Sequence, residues 1–194
     1  MSASRAYHHG ALRQAVLAAA VDALTEVGPA ELSLRDLARR AGVSHAAPAY
    51  HFGDKAGLLT AVAEEGFELL AQAVREAQTQ SDDFVEVGVA YVRFAIERRA
   101  HFEVMYRPEL YRADDAALRG ARQRAGELLY GGVRSMAGED APEADVLIDG
   151  VAAWSLVHGF ASLWLHDALP LALGKDAEAA ARAIAHVLFP PSRR

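Results

Sequence analysis

The side chains best equipped for chemistry in this chain lie between positions 33 and 55. They donate hydrogen bonds or carry positive charge, and phosphate oxygens and base edges of nucleic acids accept such groups. These donors are Ser33, Arg35, Ser44, His45, Tyr50, His51 and Lys55. No nucleophile elbow and no phosphate-cradling glycine loop occurs in the sequence. The pattern therefore favours a binding surface over a catalytic site.

Two short helices joined by a glycine turn are predicted to hold this surface. The first helix lies near 34–41, and Ala38 on its apolar face is small enough to let a second helix approach closely. Gly42 stands where the chain must reverse, and glycine takes a positive φ without steric cost. Ser44 is expected to cap the second helix, near 45–51. This arrangement is the helix-turn-helix, which places its second helix in the major groove of DNA.

The remaining sequence is also predicted to be helical. Apolar residues recur at helical spacing, and glycine and proline punctuate the runs. Further helices are expected over 10–27, 55–80, 84–100, 115–134, 142–166 and 176–188. The predicted fold is all-α, with a three-helix DNA-binding domain over 1–56. A helical-bundle regulatory and dimerisation domain follows over 57–194.

The charge of the chain is unevenly distributed. The net charge is −6, yet residues 1–60 carry six Lys or Arg against five Asp or Glu. The other 134 residues carry 14 against 21. An acidic body repels DNA and leaves the near-neutral N-terminal region to make contact.

Cysteine content and apolar runs limit the possible classes of protein. The chain has no cysteine, which excludes disulfide scaffolds, thiolate zinc sites and cysteine nucleophiles. The N-terminal segment lacks the apolar core of a signal peptide. The most apolar run, 151–165, is shorter than a membrane helix needs. We expect a soluble, cytoplasmic protein without membrane contact.

The helix-turn-helix pattern resembles the N-terminal domain of the TetR family of bacterial transcriptional regulators. The resemblance covers residues 10–60 and rests on Ser33, Leu37-Ala38, Ala41-Gly42-Val43-Ser44, Tyr50, Phe52 and Lys55. It implies that Ser33 caps the first helix of the pair and that Lys55 contacts a phosphate. It also implies that Ser44, His45, Ala46 and Ala47 open the recognition helix. Two alanines there offer only methyl contacts, so base readout is expected to be modest.

Two positions depart from the family pattern. An aliphatic residue and a tyrosine are usual where this chain has Pro48 and Ala49, and its Tyr50 comes one place late. One residue is a rotation of about 100° on a helix. Proline is tolerated only in the first turn, so the recognition helix is expected to be kinked or to be regular only after Pro48.

A second resemblance lies near the C-terminus. The segment AAWSLVHGFASLW, with Trp154, His158 and Gly159, is similar to the TetR C-terminal domains that carry a Trp–His-Gly signature. It implies a homodimer through the last two helices, a palindromic double-stranded DNA operator and a small-molecule effector that releases a repressor. The expected ligand-binding residues are Tyr91, Phe94, Phe102, Met105, Tyr106, Trp154 and His158. Aromatic residues at such spacing are also typical of a plain core.

Two other functions are alternatives to a regulator. A helical metal-binding protein or enzyme needs paired Glu-x-x-His ligands or a His-x-x-x-His motif, and none of the eight histidines fits. We therefore predict no catalytic residue, no metal and no cofactor. A structural or interaction protein would leave the turn at 41–44 and the charge asymmetry unexplained.

Overall fold

The computed structural model describes residues 2–138 and 140–189, with side chains from Gly10 onward except those of Ala137 and Leu188. The described chain is helical and contains no strand, which confirms the predicted all-α class. Its helices are α1 (Ser2–Glu31), α2 (Leu34–Arg40), α3 (Ala47–Phe52), α4 (Lys55–Gln80), α5 (Phe84–Glu97), α6 (Arg99–Met105), α7 (Ala116–Ala137), α8 (Glu143–Leu165) and α9 (Ala177–Leu188). Short 3₁₀ turns lie at Pro108–Leu110 and Leu171–Leu173.

The chain divides into two compact units. The first contains the chain through Phe67 together with Ala100–Ala121. The second contains Glu68–Arg99 and the chain from Arg122 onward. The three points of division fall within α4, at the start of α6 and within α7. The first unit is therefore assembled from two separate stretches of sequence.

The first unit is built around α1, α2 and α3, which pack against one another. Gly28 adopts φ 71° and kinks α1 where glycine and proline were expected to end it. Leu37, Ala38 and Phe52 are buried between the helices. The small side chain of Ala38 thus lies where the predicted close helix approach requires it.

The turn after α2 has the hydrogen bonds of a Schellman motif. Gly42 takes φ 65°, and its N–H donates to the Arg39 carbonyl at 3.3 Å. The Val43 N–H donates to the Ala38 carbonyl at 3.0 Å. Only a residue that tolerates a positive φ fits this turn, so the expected role of Gly42 is confirmed.

The predicted helix over 84–100 is wrong in its extent. The run over 84–100 is two helices, because α5 ends at Glu97 and Arg98 takes non-helical angles of φ −117° and ψ 41°. No glycine or proline marks this break. Helix α6 begins directly afterwards and packs in the first unit, whereas α5 packs in the second. Tertiary packing, and not a local breaker, separates the two helices.

The second unit is organised by α5, α8 and α9. Val85, Val89 and Ala185 form a core cluster between α5 and α9, with Phe189 packed against it. Arg93 donates to Glu178 at 2.6 and 2.7 Å. Arg182 likewise forms a two-pronged pair with Glu86, and this guanidinium is the main reason that the pKa of Glu86 lies below its ordinary value.

Candidate nucleic-acid interface and ligand site

The second helix of the motif begins later than the sequence indicates. It starts at Ala47, and Ala46 is its N-cap without a side-chain hydrogen bond. Ser44 lies outside the helix and contributes only its carbonyl oxygen, which accepts from the Ala47 N–H at 3.0 Å. The expected Ser44 cap is therefore wrong. Pro48 sits in the first turn, where its missing N–H costs no intrahelical hydrogen bond, so the helix begins one residue before it.

Most of the predicted DNA-contacting side chains are exposed. They are Ser33 before α2, Arg35 on α2, the three turn residues Ser44, His45 and Ala46 before α3, and Tyr50 on α3. Ser33 is the N-cap of α2, as expected, but its hydroxyl makes no capping hydrogen bond. Tyr50 is 75% exposed, so its late position still directs the phenol toward solvent.

Ala47 is the exception within this set. It is only 6% exposed and packs in the interior of the first unit. The helix begins at this residue, and its methyl group faces the neighbouring helices instead of solvent. The methyl contact that the sequence indicated for Ala47 is therefore not offered by the exposed surface.

His51 and Lys55 are half-buried beside the end of α3. The His51 ring makes edge contacts with Tyr50 and Phe52, at centroid distances of 5.2 and 6.4 Å. The Lys55 ammonium donates to the carbonyl oxygen of Ala30 at 2.8 Å. An ammonium has three N–H donors, so one such bond leaves others for a phosphate.

Two cationic features of this unit were missed from the sequence. The guanidinium of Arg13 on α1 lies 5.2 Å from the centroid of the Phe52 ring. Arg40 pairs with both Asp36 and Glu26 at 2.7 Å, which ties α2 to α1. Its hydrogen bond is the first reason that the pKa of Asp36 lies below its usual value. The spacing of three and four residues from Asp36 to Arg39 and Arg40 could have revealed this cluster.

In the second unit three of the predicted ligand residues meet. The hydroxyl of fully buried Tyr91 lies 2.9 Å from Nδ1 of His158 and accepts from Nε1 of Trp154 at 3.2 Å. Trp154 and His158 are four residues apart on α8, with ring centroids 5.6 Å apart. Burial lowers the pKa of His158, which favours a neutral imidazole at this point.

The other predicted ligand residues lie elsewhere. Phe94 is buried on α5 in the second unit. Phe102, Met105 and Tyr106 belong to the first unit, where Tyr106 packs against Phe102 and Phe67 at 5.3 and 6.0 Å between ring centroids. Phe102 and Met105 are buried there. The sequence grouped seven residues, and the structure distributes them over the two units.

A crevice in the second unit continues from Trp154 into an apolar region. It is lined by residues of α5, α7, α8 and α9 together with Phe189, which follows α9. Its walls include Phe84, Gly88, Val133, Ala153, Trp154 and Phe189. The Trp154 indole is the only polar side-chain group in this lining, and predominantly apolar walls are typical of small-molecule sites.

The described part of the chain contains no cluster of side chains that could bind a metal ion. No group of three or more His, Asp or Glu side chains there is placed to hold a metal ion. Helix α8 is long and apolar enough by composition to cross a membrane, with 28% of its most apolar window buried. Core and interface helices share that composition, and it does not indicate a membrane protein.

The first unit therefore has the architecture of a helix-turn-helix DNA-binding protein, joined to a second helical unit. The family profile described as "Bacterial regulatory proteins, tetR family" matches residues 16–62. The profile described as "Tetracyclin repressor-like, C-terminal domain" matches residues 84–188. The chain belongs to the TetR family and is a DNA-binding transcriptional regulator, as its helix-turn-helix pattern predicted.

Three proteins are similar to this chain along most of its length. The HTH-type transcriptional regulator BetI of Klebsiella pneumoniae (strain 342) is 29% identical over 171 residues, which are 81% of this chain and 82% of the relative. A protein of unknown function from Rhodococcus sp. RHA1 is 33% identical with a TM-score of 0.78, covering 94% and 96% of the two chains. The TetR-like regulator LfrR from Mycobacterium smegmatis, solved with proflavine, shares the fold at 18% identity and a TM-score of 0.66, covering 97% and 99%.

Proposed function

We propose that the protein is a dimeric repressor that leaves a palindromic operator when a small molecule occupies its second unit. The observation that carries the DNA-binding half of this proposal is the exposed surface formed by the turn before α3 and by Tyr50. Its donors can meet phosphates and base edges, while the buried Ala47, Pro48 and Phe52 anchor the helix. The proposed contacts are Ser33, Arg35, Ser44, His45, Ala46, Tyr50, His51 and Lys55.

The proposed dimer rests on an apolar surface of the last two helices. On α8, Leu147, Ile148, Val151 and Leu163 are between 42% and 65% exposed, and Val187 on α9 is 80% exposed. Large apolar side chains in such numbers on two helices are typical of an interface. Two recognition helices on one dimer would read two half-sites one DNA turn apart, roughly 34–36 Å.

The proposed effector site lies around Tyr91, Trp154 and His158 and extends into the apolar crevice. The three residues combine aromatic faces with hydrogen-bonding groups, which suits an uncharged planar molecule. LfrR, which has the same fold, was solved with proflavine, and this supports a ligand site in this fold class. The effector would release DNA by favouring a state in which the recognition helices no longer match the operator spacing.

The remaining parts of the proposal follow from the regulator assignment. The protein acts in the cytoplasm, where its DNA lies, and it needs no cofactor and catalyses no reaction. Residues 1–56 carry DNA recognition, and residues 57–194 carry effector binding and dimerisation. The absence of cysteine fits a reducing cytoplasm, and the acidic C-terminal part leaves DNA contact to the N-terminal region.

Selection of DNA from a random duplex library by the purified chain tests the proposal. We expect enrichment of one palindromic sequence and a gel shift of that duplex at nanomolar protein. A small-molecule library is then screened for release of the selected duplex. Enrichment of a non-palindromic site would contradict the symmetric dimer, and activation of transcription from the selected site would contradict repression.

A further inference from the structure

Arg112 belongs neither to the proposed DNA-contacting residues nor to the proposed effector site. It lies between α6 and α7, in the stretch Ala100–Ala121 that belongs to the first unit. Its guanidinium donates to Oδ2 of Asp54 at 2.9 Å. Its backbone N–H donates to Oγ1 of Thr60 at 3.0 Å. One residue of a distant segment is thus bonded to α4 and to the turn before it.

Asp54 occupies the turn that joins the recognition helix to α4. Its second carboxylate oxygen, Oδ1, accepts from the Gly57 N–H at 2.8 Å. The Gly57 amide is the first reason, and the Arg112 charge a further one, that the pKa of Asp54 lies below its usual value. The same carboxylate therefore caps the first turn of α4 and anchors Arg112.

The backbone around this turn is tightly packed. Gly53 has φ 78°, and a Cβ at Gly57 would collide with the carbonyl oxygen of Phe52, the last residue of α3. The same Cβ would lie 3.0 Å from Nη1 of Arg112. Thr60 is buried, and its hydroxyl also donates to the Ala56 carbonyl at 2.8 Å. The end of α3, the start of α4 and Arg112 thus meet in one close-packed junction.

We propose that Arg112 is a positioning residue for DNA binding, which holds Asp54 and thereby fixes the angle at which the recognition helix leaves α4. The segment that carries Arg112 is continuous in sequence with α5 on one side and with the rest of α7 on the other. Besides α4, this segment is a second stretch of chain that runs from the second unit into the first, and the Arg112–Asp54 ion pair links it to the turn after the recognition helix.

A double-mutant cycle on Asp54→Asn and Arg112→Gln tests the proposal. DNA affinity is measured with a duplex selected by the wild-type chain, so the cycle does not depend on repression or on an effector. Asparagine keeps an oxygen for the Gly57 N–H and glutamine approximates the length of the arginine stem, so both variants remove the ion pair alone. We expect each single variant to weaken binding about fivefold, and the double variant to be no weaker than either single one.

Arg107→Gln is the matched control. Arg107 lies in the same segment, pairs with Glu109 at 2.9 Å, and has a side chain 49% exposed against 50% for Arg112. Its loss should leave affinity within about twofold of wild type, because the Arg107–Glu109 pair joins two residues of the same segment, neither of which belongs to α3 or α4. Arg112→Lys keeps a charge for Asp54 and should recover part of the affinity lost in Arg112→Gln.

Direct phosphate contact by Arg112 predicts a different outcome. In that case Asp54→Asn would strengthen binding, Arg112→Gln would still weaken it in the Asp54→Asn background, and the slope of log affinity against log salt would fall by about one. A positioning role leaves the slope unchanged. Arg112→Gln could lower the melting temperature so far that affinity cannot be measured. In that case Arg112→Lys and Asp54→Asn still distinguish a positioning role from a phosphate contact, since both retain the packing of the junction.

Discussion

The ammonium nitrogen of Lys55 lies 2.8 Å from the carbonyl oxygen of Ala30, so the first residue of α4 is bonded to the chain just after the α1 kink. The bond restricts the lysine side chain before any DNA is present. It places a cation close to the end of the recognition helix. A pre-positioned cation loses less conformational entropy when it meets a phosphate.

Lys55→Ala should weaken binding to every DNA sequence by a similar factor. A phosphate contact carries no base information, so specificity should persist while the slope of log affinity against log salt falls by about one. The slope is measured by fluorescence anisotropy between 50 and 200 mM salt. Lys175→Ala, which removes the same charge from the second unit, is the control. An unchanged slope in Lys55→Ala would exclude the residue from the DNA surface.

Tyr50→Phe should weaken DNA binding by about three- to tenfold, because it removes one exposed hydroxyl and keeps the ring. The ring contact with His51 should survive, so the protein should keep the wild-type melting temperature. Gel shifts with the selected duplex measure the effect. Tyr130→Phe in the second unit is the matched control. Equal affinities of Tyr50→Phe and wild type would show that Tyr50 does not reach a phosphate through its hydroxyl.

Ile148→Glu should convert the proposed dimer into monomers. Ile148 is 65% exposed on α8, and a carboxylate there would be buried without a partner in a dimer, raising the dimer dissociation constant at least about a hundredfold. Analytical ultracentrifugation measures this constant. Leu171→Glu, at a residue 98% exposed between α8 and α9, is the control and should leave the dimer intact. A dimer that persists in Ile148→Glu would move the interface away from this face.

Trp154→Ala should abolish the response to any small molecule that releases wild-type protein from DNA. The indole both lines the crevice and donates to Tyr91, so ligand affinity should drop at least about tenfold while DNA affinity stays within about twofold. Isothermal titration calorimetry measures the ligand affinity, and gel shifts measure the DNA affinity. Trp164→Ala removes the other tryptophan as a control. Loss of the dimer or of the folded state in Trp154→Ala would instead identify the residue as core.

The His158 environment predicts a pH dependence of stability. Burial holds its pKa below the ordinary value of 6.5, so the unfolded chain binds a proton at a pH where the folded chain does not. The free energy of unfolding should therefore fall as the pH drops below 6.5, and the fall should be smaller in His158→Gln. Urea titrations at pH 7.5 and 5.5 measure it. Exposed His166→Gln is the control, and an equal fall in His158→Gln and wild type would contradict the prediction.

Local chemistry explains why much of the first unit could be predicted. Gly42 takes a positive φ, Gly28 kinks α1, and apolar residues at helical spacing form the helices, because each feature depends on a few neighbouring residues. The recognition helix begins two residues later than predicted, because Pro48 fits only in the first turn of a helix. The sequence predicted Ser44 as the N-cap of this helix, whereas the observed N-cap is Ala46.

The grouping of distant residues was decided only by the tertiary structure. Sequence spacing alone indicated a helix-turn-helix and an acidic helical remainder, because periodicity and turn chemistry are local. It could not show that α5 ends at Glu97, that Phe102 and Met105 pack in the first unit while Tyr91 meets His158 in the second, or that Arg112 reaches Asp54. Those contacts join residues as many as 67 positions apart, and their geometry depends on how whole helices pack.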